Sequence, residues 1–257
     1  MRYPVTTRER LWALVLGPLL VCILIYVVAL LLPAVPRGET VSFGEIMGAM
    51  FMSFVRVFVA YALAVAAAIP LALLVEVNPT VESLLLPVFD VLESVPNLAV
   101  LPILVIFFLQ FGFLDGAAIA ILFLGMVWNL VFALVGGLKV IPRDVAWAAK
   151  LFGLAGYDYV KKFTLPAIFP QFVTGSILAV ASGWNIIIVA EALHVYVPGG
   201  KIGQDLFGIG SVLVQTSAAG HTGAYMAAFG VLIGSIAFLN LFVWQKLLHY
   251  AQRFRFD

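Results

Sequence analysis

The chain has 257 residues, of which 64% are hydrophobic and 11% charged, with a net charge of +1 and a mean hydropathy of +1.14. A soluble domain usually carries about a quarter charged residues, so this composition excludes an ordinary water-soluble protein. The small net charge also argues against a nucleic-acid-binding surface, which is strongly basic. Cys22 is the single cysteine of the chain, so an internal disulfide is excluded.

Six apolar blocks follow one another along the chain, each about as long as a bilayer crossing of roughly 20 residues. They cover residues 11–35, 48–77, 81–114, 116–138, 165–191 and 223–248. We expect the third block to form a helix, a kink near Pro96 and then the crossing itself, because proline interrupts a helix. Residues 194–222 are glycine-rich and are predicted to form a loop with short helical pieces. The pattern predicts an all-α polytopic membrane protein with about six transmembrane helices, in one domain over residues 1–257.

Lysine and arginine are distributed unevenly between the two sides of the predicted spans. They precede the first span, cluster between the fourth and fifth, and follow the sixth: Arg2, Arg8, Arg10, Lys139, Arg143, Lys150, Lys161, Lys162, Lys246, Arg253 and Arg255. The opposite side has only Arg37 and Lys201. Because positive residues mark the cytoplasmic side, both termini and the loop at residues 139–164 are predicted to be cytoplasmic.

The loop at residues 139–164 has the pattern of two short helices separated by a glycine turn. Asp144 suits the N-cap of the first helix, and Gly153 suits the left-handed residue that ends it. Pro166 suits the first turn of the next span. The pattern predicts a compact helical knob, our name for residues 139–164, that stands off the membrane and fits a groove on a soluble partner. An ordinary amphipathic loop helix is the alternative.

The same segment resembles the EAA loop of ABC import permeases, in which Glu-Ala-Ala, Gly, Ile and Leu-Pro recur at fixed spacing. The corresponding positions hold Trp147-Ala148-Ala149, Gly153, Phe163 and Leu165-Pro166. The resemblance implies that an ATPase is coupled to the chain through Trp147, Ala148, Ala149, Gly153, Leu165 and Pro166. Trp147 replaces the usual Glu, which removes one polar contact with the ATPase, and Phe163 replaces the usual Ile.

Further stretches resemble the nitrate, sulfonate, taurine and bicarbonate branch of that family over residues 45–250. They are Ser53-Phe54-Val55-Arg56, Pro87, the run from Ser94 to Pro102, Phe111-Gly112, Ala190-Glu191-Ala-Leu and Gly200-Lys-Ile-Gly203. Between Gly203 and Thr222 the chain is longer than the pattern of this branch. The resemblance implies the type I import permease fold and a gated path for a small solute, an anion such as nitrate, sulfonate or bicarbonate.

The resemblance also implies a complex. Two permease subunits, identical or related, form the pore in the lipid bilayer, cytoplasmic subunits bind and hydrolyse ATP, and a solute-binding protein delivers substrate from outside. The sequence contains no Gly-x-x-x-x-Gly-Lys-Ser/Thr loop, so we expect this chain neither to bind ATP nor to be catalytic itself. No cofactor or metal is expected, since its three histidines are scattered.

Polar residues in or near the spans are candidates for lining or gating the path: Arg56, Glu93, Asn185 and Glu191. A charge inside a bilayer usually pairs or faces water, so Arg56 and Glu93 form a pore-side or gating ion pair or else snorkel to an interface. Asn185 and Glu191 belong to span five, which the family resemblance puts beside the path. Asn129 and Gln171 are better explained by hydrogen bonds between helices.

Two other functional classes stay open. A secondary transporter driven by an ion gradient commonly shows inverted repeats and broken helices; the break near Pro96 fits, but the sequence shows no repeat. A membrane-embedded enzyme or scaffold needs a titratable cluster, which dispersed histidines do not supply.

Overall fold

The computed structural model describes residues 41–76, 78–196 and 205–254. Within these ranges the chain is helical and contains no strand. We number its helices in chain order: α1 Phe43–Glu76, α2 Pro79–Ser94, α3 Asn97–Leu109, α4 Leu114–Val140, α5 Arg143–Leu151, α6 Gly156–Tyr159, α7 Leu165–Ala167, α8 Phe169–Glu191, α9 Ile209–Ala218, α10 Thr222–Leu239 and α11 Gln245–Ala251. The predicted all-α fold class is confirmed.

Four helical stretches are long and apolar enough to cross a bilayer: Phe43–Val75, Leu114–Val140, Phe169–Glu191 and Thr222–Phe254. They correspond to the second, fourth, fifth and sixth predicted spans. The last stretch passes from α10 through a π-helical turn at Asn240–Trp244 into α11. The first predicted span, residues 11–35, lies outside the described residues, so the number of six spans stays a prediction.

The third predicted span is a bent pair of helices. The axes of α2 and α3 differ by 82° across Val95 and Pro96, which is the geometry of a broken span or a re-entrant loop. Pro96 has no N–H group to continue the hydrogen bonds of α2. At the other end of α2, the Asn78 side chain accepts a hydrogen bond from the Val81 N–H at 2.8 Å and caps the helix. The predicted kink near Pro96 is therefore confirmed.

The core lies where α1, α4 and α8 pack together. α1 buries a stripe of small residues at spacings of four or seven, namely Ala49, Ser53, Ala60, Ala64, Ala68 and Ala72. Small side chains let helix backbones approach closely, which favours helix association inside a membrane. Between α4 and α8, a methyl group on Gly175 would meet the Ala133 side chain. The close packing of these three helices thus depends on residues with little or no side chain.

The start of α8 lies beside the end of the described chain. The Phe169 ring contacts the rings of Tyr250 and Phe254 edge-to-face, with centroids 5.9 and 5.4 Å apart. Since the knob immediately precedes this end of α8, the knob and the C-terminal helix lie at the same end of the bundle. This agrees with the distribution of basic residues, which groups the two segments on one side.

The described residues between α8 and α10, 192–196 and 205–221, form loop segments with short helical pieces, as predicted. It contains a 3-10 helix at Leu193–Val195 and the ten-residue helix α9. Ile209 and Leu213 of α9 are buried in the core. The Leu206 N–H donates to the Glu191 carbonyl at 3.0 Å, so the chain enters α9 from the end of α8.

Candidate coupling loop and transport path

The knob consists of two short helices around a glycine turn, as the sequence predicts. α5 is followed by Gly153 with a φ of 80°, in the left-handed region that glycine adopts at low cost. The Gly153 N–H donates to the Lys150 carbonyl at 3.0 Å, which satisfies a carbonyl at the end of α5. α6 then leads through a π-helical turn at Val160–Thr164 towards the next span. The left-handed turn predicted at Gly153 is confirmed.

Two details of the knob differ from the prediction. Pro142, not Asp144, is the N-cap residue of α5, and no side chain caps that end. Asp144 lies in the first turn instead, where a carboxylate interacts favourably with the helix dipole. Pro166 opens the short helix α7 rather than the span itself, which starts at Phe169 because the backbone leaves helical geometry at Ile168.

The residues of the loop motif divide into outward-facing and inward-facing positions. Trp147 and Gly153 are exposed, Ala149 is buried, and Ala148, Leu165 and Pro166 are half-buried. A Cβ atom on Gly153 would meet no atom within 4 Å, so the outside of the turn is open. Trp147 and Gly153 are thus the two motif positions most accessible to a partner, and Ala149 holds the knob together from inside.

Arg56 lies at the centre of a buried polar cluster at the other end of the bundle. Its Nε atom is 2.7 Å from Asp115 Oδ1 and its Nη1 atom is 2.8 Å from Glu191 Oε1. Nη1 also donates to the Phe207 carbonyl at 3.0 Å. The Arg56 residue is only 4% exposed. A buried charge of this kind needs partners close by, and the two carboxylates and the carbonyl supply them.

Glu191 completes the cluster without any contact with solvent. Its Oε1 atom accepts from Ser53 Oγ at 2.7 Å, and its Oε2 atom accepts from the Gly210 N–H at 2.8 Å. Ser53 Oγ in turn accepts from the Ile209 N–H at 2.8 Å. The carboxylate and the serine therefore satisfy N–H groups at the start of α9, which have no partner within that helix.

We call Ser53, Arg56, Asp115 and Glu191 the bracket, because their side chains join α1, α4, α8 and the start of α9. All of its bonds are short and three of its four residues are nearly inaccessible; Asp115 is the partly exposed member. The arrangement fixes the position of α9 against the three packed helices.

The structure brings together some of the polar residues that the sequence indicates as candidates and separates others. Arg56 and Glu191 come together, whereas Glu93 is exposed on α2 and Arg56 has Glu191 and Asp115 as its acidic partners. Ser53 and Asp115 were missing from the sequence-based candidates. Ser53 lies three residues before Arg56 on the same helix face, and this spacing is the signal that points to it.

Asn185 lies on an exposed face of α8. Thr174, Leu178, Ala181, Asn185 and Ile188 are exposed in the structure. Their spacings of four and three residues place them along one side of the helix. This stripe joins the two ends of the bundle and carries polar groups at Thr174 and Asn185, so it is a surface that a partner subunit or a solute can meet.

Within the part of the chain that the structure describes, neither Asn129 nor Gln171 forms the predicted bond between helices. The Asn129 amide donates to the Gly125 carbonyl of its own helix at 3.1 Å. The Gln171 Oε1 atom is buried and has no hydrogen-bond partner among the described residues. Gln171 packs its side chain against the backbone at Gly137, where a Cβ atom would lie about 2.9 Å from Gln171 Cβ. Both residues belong to the packing of α4 and α8.

A second polar contact holds the loop after α8. Both carboxylate oxygens of Asp205 lie near His194 Nδ1, at 2.8 and 2.9 Å, and the His194 N–H donates to Asp205 Oδ1 at 2.9 Å. The Asp205 side chain is inaccessible to solvent. This contact ties the two sides of the loop together next to the bracket.

The chain matches a known protein family. The profile of the family described as the inner membrane component of binding-protein-dependent transport systems matches residues 64–253. The chain belongs to this family. The matched range includes the whole knob, α8 and α9, and it begins after Ser53 and Arg56 of the bracket. As a member of this family, the chain is a multi-pass membrane component of a transport system and not an enzyme.

Several curated permeases are similar to this chain. The nitrate import permease protein NrtB of Leptolyngbya laminosa is 33% identical over 72% of this chain and 65% of its own length. The bicarbonate transport system permease protein CmpB of Synechococcus elongatus is 31% identical over 54% of this chain and 49% of its own. The taurine transport system permease protein TauC of Escherichia coli is 27% identical over 55% and 50%. The match therefore spans half to two thirds of these relatives.

Proposed function

We propose that this chain is one of two membrane-spanning subunits of an ATP-driven importer of a small anion. The observation that carries the proposal is the knob, in which the left-handed turn at Gly153 follows a helix that exposes Trp147. Short helices that protrude from one end of a membrane bundle give a soluble ATPase a rigid surface to bind. Docking there transmits the closure of the ATPase to the spans, because a ligand that prefers one conformation shifts the population towards it.

The proposed orientation places the knob in the cytoplasm. The described basic residues of the knob and of the C-terminal helix lie at one end of the bundle, and positive residues mark the cytoplasmic side. The bracket then lies at the outer end, next to the loop that follows α8. A solute-binding protein docks on this outer end in the proposed complex.

The exposed stripe of α8 is our candidate for the wall of the path. α8 runs from the knob end to the bracket, so movement of the knob acts directly on it. Asn185 offers a hydrogen-bond donor and acceptor on that stripe, which suits a hydrated oxyanion. Arg56 and Glu191 are buried and hold α9 against α8, the helix that carries this stripe. Glu93 is exposed on α2 and is a candidate for the surface that faces the partner subunit or the path.

The proposed substrate class rests on the relatives. The three permeases described above are named for nitrate, bicarbonate and taurine, which are small solutes with an anionic group. Two copies of this chain, or one copy with a related chain, enclose the path in the proposal. The 82° bend between α2 and α3 is the feature that favours the alternative, a transporter driven by an ion gradient.

A reconstituted complex tests this proposal. The full chain is purified together with its ATP-binding subunit and solute-binding protein and placed in lipid nanodiscs. We expect ATP hydrolysis to rise when the binding protein carries nitrate, bicarbonate or taurine, and not with an uncharged solute such as maltose. Failure of any ATP-binding subunit to associate with the wild-type chain contradicts the proposal.

A further inference from the structure

The outward surface of the knob is unusually apolar for a soluble loop. Trp147, Leu151, Phe152 and Tyr157 are 69, 87, 88 and 75% exposed. Large exposed side chains of this kind mark interaction sites when they lie together. Trp147 and Leu151 are four residues apart on α5 and therefore neighbours on its surface, and Phe152 follows directly at the helix end.

Charged residues of both signs share this surface. Arg143 precedes Trp147 by one helical turn, and Asp144 and Lys150 lie on either side of the stripe that Trp147 and Leu151 form. All three charged residues are exposed. A helix that lies on a membrane separates a wide apolar face from a charged face. α5 instead mixes aromatic, aliphatic and charged groups on one face, which is the composition of a protein interface with an apolar centre.

The rim of this surface is basic. Arg143, Lys150, Lys161 and Lys162 are exposed around it, and Lys162 is paired with Asp158 at 2.8 Å. Lys150 and Lys161 lie over the rings of Tyr159 and Tyr157, 5.8 and 5.6 Å from the ring centroids. Among the described residues, Asp144 is the only other exposed carboxylate of the knob. Complementary charge on a partner steers association and fixes its orientation, so the rim fits an acidic surface.

We infer, on the basis of the proposed function, that the knob docks through an apolar centre formed by Trp147, Leu151 and Phe152, and that the ATP-binding partner carries an apolar socket with an acidic rim. Trp147 is the anchor of this contact. Tryptophan dominates the binding energy where it fills a pocket. Tryptophan at this position therefore restricts the permease to ATP-binding partners that carry such a socket.

Substitutions of Trp147 test the inference. The full chain in nanodiscs is titrated with its purified ATP-binding subunit, and Kd is measured for the wild type and for Trp147→Ala, Trp147→Phe and Trp147→Glu. Trp147→Ala is expected to raise Kd roughly tenfold or more, and Trp147→Phe much less. Trp147→Glu is expected to bind at least as poorly as the alanine variant, because an apolar socket does not solvate a carboxylate.

Phe111→Ala is the matched control, since Phe111 is 68% exposed and lies outside the knob. We expect its Kd to equal that of the wild type. Thermal melting of each purified variant verifies that the bundle is intact. Wild-type Kd for Trp147→Ala, or tight binding by Trp147→Glu, overturns the inference while leaving the ATP-driven importer in place. Absence of binding by the wild-type chain overturns both.

A labelling experiment separates the ATPase from the bilayer as the occupant of this surface. Leu151→Cys in a Cys22→Ser background is reconstituted in nanodiscs and treated with a water-soluble maleimide. We expect fast labelling of the free chain and at least tenfold slower labelling once the ATP-binding subunit is added. Slow labelling before any ATPase is added means that the surface is buried in lipid and contradicts the inference. An unchanged rate after saturation with the ATPase contradicts it as well.

Discussion

Replacing Glu191 with glutamine removes one charge from the bracket while keeping the shape of the side chain. In the wild type, Glu191 Oε1 accepts from Ser53 and Arg56, and Oε2 accepts from the Gly210 N–H. A glutamine has one oxygen and one NH₂ group. In either orientation of the amide, at least one of these donors faces another donor. The substitution therefore leaves a buried donor unsatisfied and deprives Arg56 of its buried counter-charge.

The size of the effect follows from these two losses. An unsatisfied buried donor costs about 1–3 kcal/mol, and removing one partner of a buried ion pair costs about 3–5 kcal/mol. The two costs overlap, and Asp115 remains 2.7 Å from Arg56 as a second counter-charge. We therefore expect Glu191→Gln to destabilise the attachment of α9 by about 3 kcal/mol. This corresponds to an increase of roughly 10²-fold in the population in which α9 has detached.

Amide hydrogen exchange measures this population directly. The wild type and Glu191→Gln are compared in nanodiscs by mass spectrometry of peptides that cover residues 205–218. Protection of the Ile209 and Gly210 amides is expected to fall by about two orders of magnitude, because their acceptors belong to the bracket. Glu82→Gln is the matched control. Glu82 pairs with Lys139 on the surface, and such pairs contribute only about 0–1 kcal/mol.

The expected functional result is slower uptake by a complex that still assembles, since α9 is held less firmly. Arg56→Met combined with Glu191→Leu is expected to recover part of the lost protection, because replacing a whole buried pair by apolar residues costs less than removing one partner. Unchanged protection in Glu191→Gln together with impaired uptake would refute this reasoning. It would mean that Glu191 acts on the solute or on a gate and does not hold α9.

Three further substitutions test the knob, the path and the orientation. Gly153→Val forces a β-branched residue to a φ of 80° at a cost of about 1 kcal/mol or more. We expect this variant to insert normally but to lose ATPase coupling in a hydrolysis assay. Gly136→Ala, whose added Cβ has open space around it, is the control and is expected to keep coupling intact. Asn185→Leu is expected to slow anion uptake about tenfold with normal ATPase binding; wild-type uptake removes Asn185 from the path. Lys150→Cys in a Cys22→Ser background is expected to resist external maleimide in sealed cells, and labelling from outside reverses the proposed orientation.

Much of the helical framework follows from local sequence. Apolar blocks of bilayer length predict α1, α4, α8 and the α10–α11 stretch, because backbone groups inside a membrane are satisfied only within helices or closed barrels. Pro96 predicts the bend, because proline lacks the donor that a continuing helix needs. Gly153 predicts the left-handed turn for an equally local reason.

The pairing of Arg56 with Glu191 does not follow from the sequence. Arg56 and Glu191 are separated by 135 residues, and no local pattern specifies which acidic residue pairs with which basic residue. Pairing Arg56 with Glu93 was reasonable on charge alone, but packing of the small-residue stripe of α1 on α4 and α8 decides the neighbours. The break at Ile168 was missed for a similar reason, since the sequence from Leu165 to Glu191 reads as one apolar helix and its first turn is reshaped where it joins the knob.

Solute uptake into sealed vesicles tests the central claim most directly. The full chain is reconstituted with its ATP-binding subunit, and the binding protein loaded with labelled nitrate, bicarbonate or taurine is supplied on the side opposite the ATPase. We predict accumulation that requires ATP hydrolysis and persists when proton and sodium gradients are collapsed. Accumulation by the chain alone, driven by an ion gradient without ATPase or ATP, would contradict the ATP-driven importer and establish the secondary transporter in its place.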